Sequence, residues 1–214
     1  MGASAAEQPL ARALSAVLDE IAVVPVPAPG AQPVPAAVLV GLDAPAELEA
    51  PAQALGEIRV VLTRRRADLR RHAGEIAFPG GRRDEEDESL RDTALREAEE
   101  EIGLPREQAS VIGELPPTST FATGYLIHPF VATIPSGTAW TLSPREVDTV
   151  LELPLRDVRE GRTTAELERR GIRFRTDAYV VDEQLIWGAT ARIIEDLLER
   201  LRDGGPPAAP LKLE

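Results

Sequence analysis

The densest cluster of reactive side chains in this sequence is Glu97, Glu100 and Glu101, with Arg96 immediately before it. Residues three and four apart share a face of a 3.6-residue helix, so this spacing gathers the carboxylates on one arc. Leu95, Ala98 and Ile102 fall on a roughly opposite arc that can pack. Like charges so placed destabilise a helix by about 0.2–0.5 kcal/mol per pair, and the Glu97/Glu100 and Glu97/Glu101 pairs therefore call for compensation. A hard divalent cation supplies it, because Mg²⁺ and Mn²⁺ take oxygen ligands and carboxylates one turn apart can converge on one ion. A solvated acidic face is the competing reading of the same run. The acidic loop from Asp84 to Glu88 offers one more carboxylate, Glu88 or Asp87.

The element that must position these groups is a helix predicted over Leu90–Ile102. Ser89 and Asp92 form a capping pair at its start, and Gly103 stands where a left-handed residue ends a helix. Ala36 to Leu42 and Ile58 to Thr63 are strand-like in length and β-branched content. Gln108 to Leu115 and Ile127 to Ile134 read as further strands, with Pro129 favouring an edge position or a bulge. Between the second strand and the acidic loop runs a basic, turn-rich stretch with Arg64, Arg65, Arg66, Arg70, Arg71 and His72, ending in Phe78-Pro79-Gly80-Gly81. Arginine binds phosphate through paired hydrogen bonds, so this row is a candidate phosphate holder, though some members can instead pair with Asp84 to Glu88. His72 reads as a phosphate ligand or a loop cap. The small-residue loop Pro116 to Tyr125 is of the kind that approaches a ligand closely, with Thr123 and Gly124 as contacts to watch. Pro144 to Val158 reads as a helix start, a strand and a turn, and carries Glu146 and Glu152 as candidate general bases. Ile172 to Val181 alternates as a hairpin strand would, and Trp187 to Leu201 has the apolar spacing of a packing helix, with Trp187 assigned to the core.

Composition places these elements in one domain of a chain of 214 residues, 43% hydrophobic and 28% charged. Residues 1–35 hold an amphipathic helix, Ala5 to Val23, and a Pro-rich linker; 36–201 form the catalytic domain; 202–214 are a Pro-, Gly- and Ala-rich tail. The first helix packs on the domain or makes a homodimer contact. The absence of cysteine excludes disulfides and thiol catalysis. Every apolar run is shorter than the roughly 18 residues of a membrane span, so a soluble, cytoplasmic protein is expected. A net charge of −12 argues against a general nucleic-acid binder and for a small-molecule ligand held at a local basic patch.

The stretch from Gly81 to Leu104 resembles the Nudix box, G-x5-E-x7-R-E-U-x-E-E-x-G-U with U aliphatic. Arg96, Glu97, Ala98, Glu100, Glu101, Gly103 and Leu104 match its second half position by position, Ala98 being small for U. The first half carries one extra residue, so its leading carboxylate is Asp87 if Gly81 sets the frame and Glu88 if the distance to Arg96 does. Upstream, Leu62, Thr63, Arg65, Arg70, Gly74 and Phe78 to Gly81 resemble the signature L-L-T-x-R-[SA]-x3-R-x3-G-x3-FPGG of the Nudix hydrolases that cleave coenzyme A. Val61 replaces the first Leu, and Arg66 stands where a small residue is usual.

The resemblance implies an α/β (α+β) Nudix fold, a mixed β-sheet sandwiched between helices with the box as a loop, helix and loop beside it. It also implies a metal-dependent pyrophosphohydrolase. Mg²⁺ or Mn²⁺ would be held by Glu97, Glu100 and Glu101 with help from Glu88 or Asp87, and Arg96 would orient the carboxylates. The base would be Glu97, Glu100 or a loop glutamate. Arg65, Arg70, Thr63, Gly80, Gly81 and Thr123 would contact the substrate, coenzyme A or a derivative, released as 3′,5′-ADP and 4′-phosphopantetheine. The alternatives are hydrolysis of another nucleoside diphosphate derivative, such as ADP-ribose or an oxidised nucleotide, and a nucleotide-binding regulatory module without turnover.

Overall fold

Residues 33–44, 55–69, 72–120, 124–169 and 171–203 are described in a computed structural model of the chain. They run β1 (Val34–Asp43), β2 (Arg59–Arg65), β3 (Ile76–Ala77), β4 (Gly80–Arg82), α1 (Leu90–Ile102), a 3₁₀ turn (Arg106–Gln108), β5 (Ser110–Glu114), β6 (Thr118–Ser119) and β7 (Tyr125–Ile134). The remainder is β8 (Val147–Pro154), α2 (Leu155–Glu160), β9 (Arg162–Arg169), β10 (Ile172–Val181), β11 (Gln184–Trp187) and α3 (Gly188–Asp203).

Side chains alternate across a strand, and here the alternation builds a core on each face of one sheet. Ala37, Leu39, Val61, Ala132 and Ile134 face α1 and pack with its Ala94, Leu95, Ala98 and Ile102. Val40, Leu42, Val60, Leu62 and Val131 face the other way, into a core shared with Tyr179, Ile186, Ile194 and Leu197. The sheet is mixed. Its path is β3-β2-β1-β7-β5, with β4 added to β1, β6 to β7 and β8 to β2. The β1–β7 pair is parallel, Val34 opposite Tyr125 through Asp43 opposite Ile134, and the other pairs are antiparallel. A second, antiparallel sheet of order β11-β10-β9 lies with α3 over the second face. The architecture is the expected α+β one.

Helix α1 spans the predicted residues. Ser89 Oγ accepts from the Asp92 amide at 3.2 Å, and the Gly103 amide donates to Glu99 O at 3.0 Å with φ +70°. That left-handed turn needs glycine. It is also tightly covered, since a Cβ on Gly103 would lie 2.7 Å from Thr141 Cβ.

Some expectations are corrected. The basic stretch is not all loop: β3 pairs with β2, and β4 pairs with β1. Pro129 lies in the interior strand β7, not at an edge. Its carbonyl accepts from the Leu115 amide at 2.9 Å, one residue beyond β5, where the ladder ends and a proline nitrogen costs no strand bond. Pro144–Glu146 is a turn rather than a helix start, and Leu155–Glu160 is helical. Strand β9 escapes sequence reading because Ala165 and Leu167 are the only apolar residues that alternate in its polar run. The amphipathic stretch Ala5 to Val23, most of the linker and the tail from residue 204 lie outside the described residues. Among the described residues no helix is long and apolar enough to cross a membrane.

Candidate active site

The site forms where the glycine turn before α1 meets the helix's charged arc. Gly80 and Gly81 pair in register with Val38 and Ala37 of β1. A Cβ on Gly81 would sit 2.5 Å from Glu97 Cδ, and one on Gly80 would sit 2.6 Å from Val38 Cα. At Gly80 the backbone of β1 excludes a side chain, while at Gly81 a side chain would displace the Glu97 carboxylate, on to which the glycine directly backs.

Arg96 binds this region together. Its Nε and Nη2 donate to Asp87 at 2.9 and 3.0 Å, and its Nη1 donates to Glu97 at 3.0 Å and Glu100 at 3.2 Å. Nη2 also donates to Arg82 O at 3.2 Å. Asp87 is 6% exposed and accepts further bonds from Thr93 Oγ1 at 2.8 Å and the Asp84 amide at 2.9 Å. Arg96 above all, then these donors, holds its carboxyl well below the usual carboxylate range. The guanidinium is in turn held more firmly protonated by Asp87. The frame set by Gly81 thus places Asp87 on Arg96. Glu88 is exposed, and its backbone carbonyl accepts from Arg83.

The three glutamates of α1 occupy different environments. The Glu100 side chain is 59% exposed, that of Glu97 16% and that of Glu101 5%. Burial raises Glu97 from its ordinary value against the pull of Arg96. Burial also pushes Glu101 up to about 8, with Glu97 and Glu146 adding to the rise and Arg65 and a Gly80 backbone hydrogen bond opposing it. Arg65 Nη1 lies 3.5 Å from Glu101, and its Nη2 lies 3.9 Å from Glu146. Glu146 is delivered by the segment after β7, which is strapped to the helix end through Thr141 N to Ile102 O at 3.0 Å and Ser143 N to Glu101 O at 2.9 Å. Glu152, the other candidate base, accepts from Trp140 Nε1.

The donor set fits a hard divalent cation. It offers carboxylate oxygens, and the burial and like-charge repulsion that raise Glu101 are what a bound cation relieves. Among the described residues no three acidic or histidine side chains are already drawn in tightly enough to cage an ion. Arg96 holds one oxygen each of Glu97 and Glu100.

A cavity of about 770 Å³ opens beside these groups, and Arg65, His72, Phe78, Gly80, Gly81 and Arg82 contribute to its wall. Among the described arginines of the basic row, Arg65 turns to the carboxylates. Strand alternation sends Arg64 elsewhere, to Asp148 at 2.8 Å, while Arg66 pairs with Asp68 at 2.8 Å. Neither pairs with Asp84 to Glu88. His72, left-handed at φ +55°, is bonded to Glu75 at 2.7 Å. Thr63 is 1% exposed and donates to Ala77 O at 3.2 Å, so it ties β3 to β2. Arg70 and Thr123 lie outside the described residues. Trp187 is half-buried at the cavity, stacked obliquely on Phe174, rather than in the core.

Residues 52–173 match the NUDIX domain family. The chain belongs to the Nudix hydrolase family. It is 41% identical over 145 residues to a Photorhabdus laumondii protein named "Uncharacterized Nudix hydrolase NudL", covering 67% of this chain and 77% of that one. It is 38% identical over 147 residues to the protein of the same name from Yersinia pestis, covering 68% and 73%. The crystal structure of a C. elegans Ap4A hydrolase binary complex aligns with 59% of this chain and 84% of its own at 21% identity and a TM-score of 0.45.

Proposed function

We propose that this Nudix hydrolase cleaves the diphosphate of coenzyme A and its derivatives, releasing 3′,5′-ADP and 4′-phosphopantetheine or its acyl or disulfide forms. One observation carries the reading. Arg65, Phe78, Gly80 and Gly81, which belong to the coenzyme A-type signature, line one cavity, and Gly81 abuts Glu97 of the carboxylate cluster.

Glu97, Glu100 and Glu101 would hold Mg²⁺ or Mn²⁺. The cation, when bound, offsets phosphate charge and makes water a better nucleophile at neutral pH. Arg96 orients Glu97 and Glu100 without reaching the substrate, and Gly80 and Gly81 let the cavity wall lie close against β1 and the Glu97 carboxylate. Arg65 serves both sides, donating to phosphate oxygens and restraining Glu101 and Glu146. Glu146 is the base: it takes the proton of the attacking water as that oxygen bonds to one phosphorus, the P–O–P bond breaks, and the second phosphate leaves with the bridging oxygen. Its place beside Arg65, close enough to repel Glu97 and Glu101, supports this role.

A substrate panel with Mg²⁺ or Mn²⁺ in ¹⁸O water, with products resolved by mass, tests the proposal. Coenzyme A should yield 3′,5′-ADP and phosphopantetheine, with solvent oxygen on one product only. Release of inorganic phosphate, or faster hydrolysis of ADP-ribose than of coenzyme A, would overturn it.

A further inference from the structure

The wall of the cavity of about 770 Å³ carries two side chains that the chemistry above leaves unused, His72 and Glu75. Both stand in the turn between β2 and β3. The Glu75 amide donates to His72 O at 3.2 Å, while the Arg65 amide donates to Glu75 O at 3.0 Å and the Gly74 amide to Arg65 O at 3.1 Å. The turn is thus closed on itself and fastened opposite the end of β2. His72 is held there at φ +55°, a left-handed conformation uncommon outside glycine. Its Nδ1 lies 2.7 Å from Glu75 Oε2, and both side chains are half-buried. An ionised carboxylate only accepts hydrogen bonds, so the bonding proton belongs to Nδ1. That leaves Nε2 for a ligand, and among the described residues nothing else bonds it. Arg65 stands between this pair and the carboxylates: its guanidinium reaches Glu101 at 3.5 Å and Glu146 at 3.9 Å, while its backbone holds Glu75. The other charged side chains of the cavity wall are Arg82 and Arg192, and arginine keeps its proton. Histidine is the side chain that gives one up and takes it back near neutral pH.

We propose that His72 is the general acid for the leaving phosphate and that Glu75 is the positioning residue that fixes its imidazole. This role rests on the diphosphate hydrolysis proposed above and not on which diphosphate is cleaved. Glu146 removes a proton from the attacking water as the new P–O bond forms. As the P–O–P bond breaks, the bridging oxygen takes the proton of His72 Nε2 and the imidazolium becomes a neutral imidazole. Glu75 holds the ring's orientation and stabilises the imidazolium before transfer. After the products leave, Glu146 returns its proton to solvent and His72 takes one up, which closes the proton balance. Separate groups on the two sides of Arg65 suit a reaction that removes a proton at one oxygen and delivers one at another.

Single-turnover rates with coenzyme A and saturating Mg²⁺ test the pair. His72→Gly removes the imidazole at a φ that glycine adopts freely, so the turn survives and the rate should fall about a hundredfold. Added imidazole should raise that rate at least about tenfold, whereas dilute guanidinium, a cation that binds phosphate but keeps its proton, should not. Glu75→Gln should lower the rate about tenfold in the parent enzyme and no further in His72→Gly, since a positioning residue has no effect once the group it positions is gone. An undiminished rate in His72→Gly, a loss that imidazole does not restore, or equal restoration by guanidinium would overturn the general acid. Additive losses in the double variant would overturn the part given to Glu75. In each of these cases cleavage of coenzyme A by the parent enzyme leaves the proposed function standing. No diphosphate cleavage by the parent enzyme would overturn both.

Discussion

Two carboxylate–arginine pairs stand at opposite ends of the same box and behave oppositely. At the acidic loop, Asp87 meets Arg96 at 2.9 and 3.0 Å and accepts from Thr93 and the Asp84 amide as well. Its charge is fully satisfied and its carboxyl is held low. At the helix end, Glu101 lies 3.5 Å from Arg65 with Glu97 and Glu146 repelling it, and its carboxyl is pushed up to about 8. Both side chains are almost wholly covered, but Asp87 is covered by its own loop and Glu101 lies deep, so the depth of burial and the number and closeness of the donors together decide the outcome. The first pair is a fastening; the second is a charge deficit that a cation can fill.

The largest expected effect separates the two in activity. Glu101→Gln keeps volume and removes a charge from the proposed metal site, so kcat/KM should fall at least about a hundredfold, or more than 2.7 kcal/mol of barrier. The melting temperature in chelator should not drop, because a neutral amide replaces an acid that burial already disfavours as an anion. A parallel loss of stability would break the comparison.

Asp87→Asn should show the reverse, a stability loss with activity reduced only through disorder of Arg96. Breaking a deeply buried pair costs about 3–5 kcal/mol, but Asp87 is covered by its own loop rather than by the core, so about 2 kcal/mol is expected. Denaturant unfolding measures this directly. A midpoint unchanged from the parent chain would show that Arg96 finds equal partners without Asp87.

The pH dependence of stability sharpens the contrast. Glu101 binds its proton more tightly folded than unfolded. Its contribution is therefore fully present below the ordinary glutamate range near about 4.3 and is lost as pH rises toward about 8. Asp87, with its folded value lowered, contributes above about 3.9 and loses that contribution on further acidification. Melting of the metal-free protein should decline from about pH 5 to pH 8, recover on addition of Mg²⁺ or Mn²⁺ at pH 8, and flatten over this range in Glu101→Gln. A Glu101→Gln profile that declines like the parent's would assign the effect to another group.

The smallest effect concerns the looser pair's own partner. Arg65→Ala removes the cation that opposes the rise of Glu101, so the acid limb of the pH–rate profile should move to higher pH, with about a tenfold loss near pH 7. Loss of rate with an unmoved limb would place Arg65 on the substrate alone.

Much of this was legible along the chain. Helical spacing, the Ser89 cap and Gly103 determined where α1 begins and ends and which residues pack, because those are interactions within a few residues of one another. Strands β1, β2 and β7 announced themselves by β-branched apolar runs, since each is covered on both faces. The box spacing likewise named Arg96, Glu97, Glu100 and Glu101.

Only the tertiary structure decided what each carboxylate experiences. Helical spacing puts Glu101 with Glu97 and Glu100 on one charged arc, yet the fold buries Glu101 and leaves Glu100 exposed, because the strapped segment after β7 and Arg65 close over one end of the arc. The choice between Asp87 and Glu88 depended on which side chain the loop turns inward to Thr93 and Arg96, a matter of loop conformation rather than count. Glu146 and Trp187 lie far from the box in sequence and reach the site by sheet pairing and loop docking. Local periodicity carries no information about such contacts, since they are set by which surfaces pack once the elements exist.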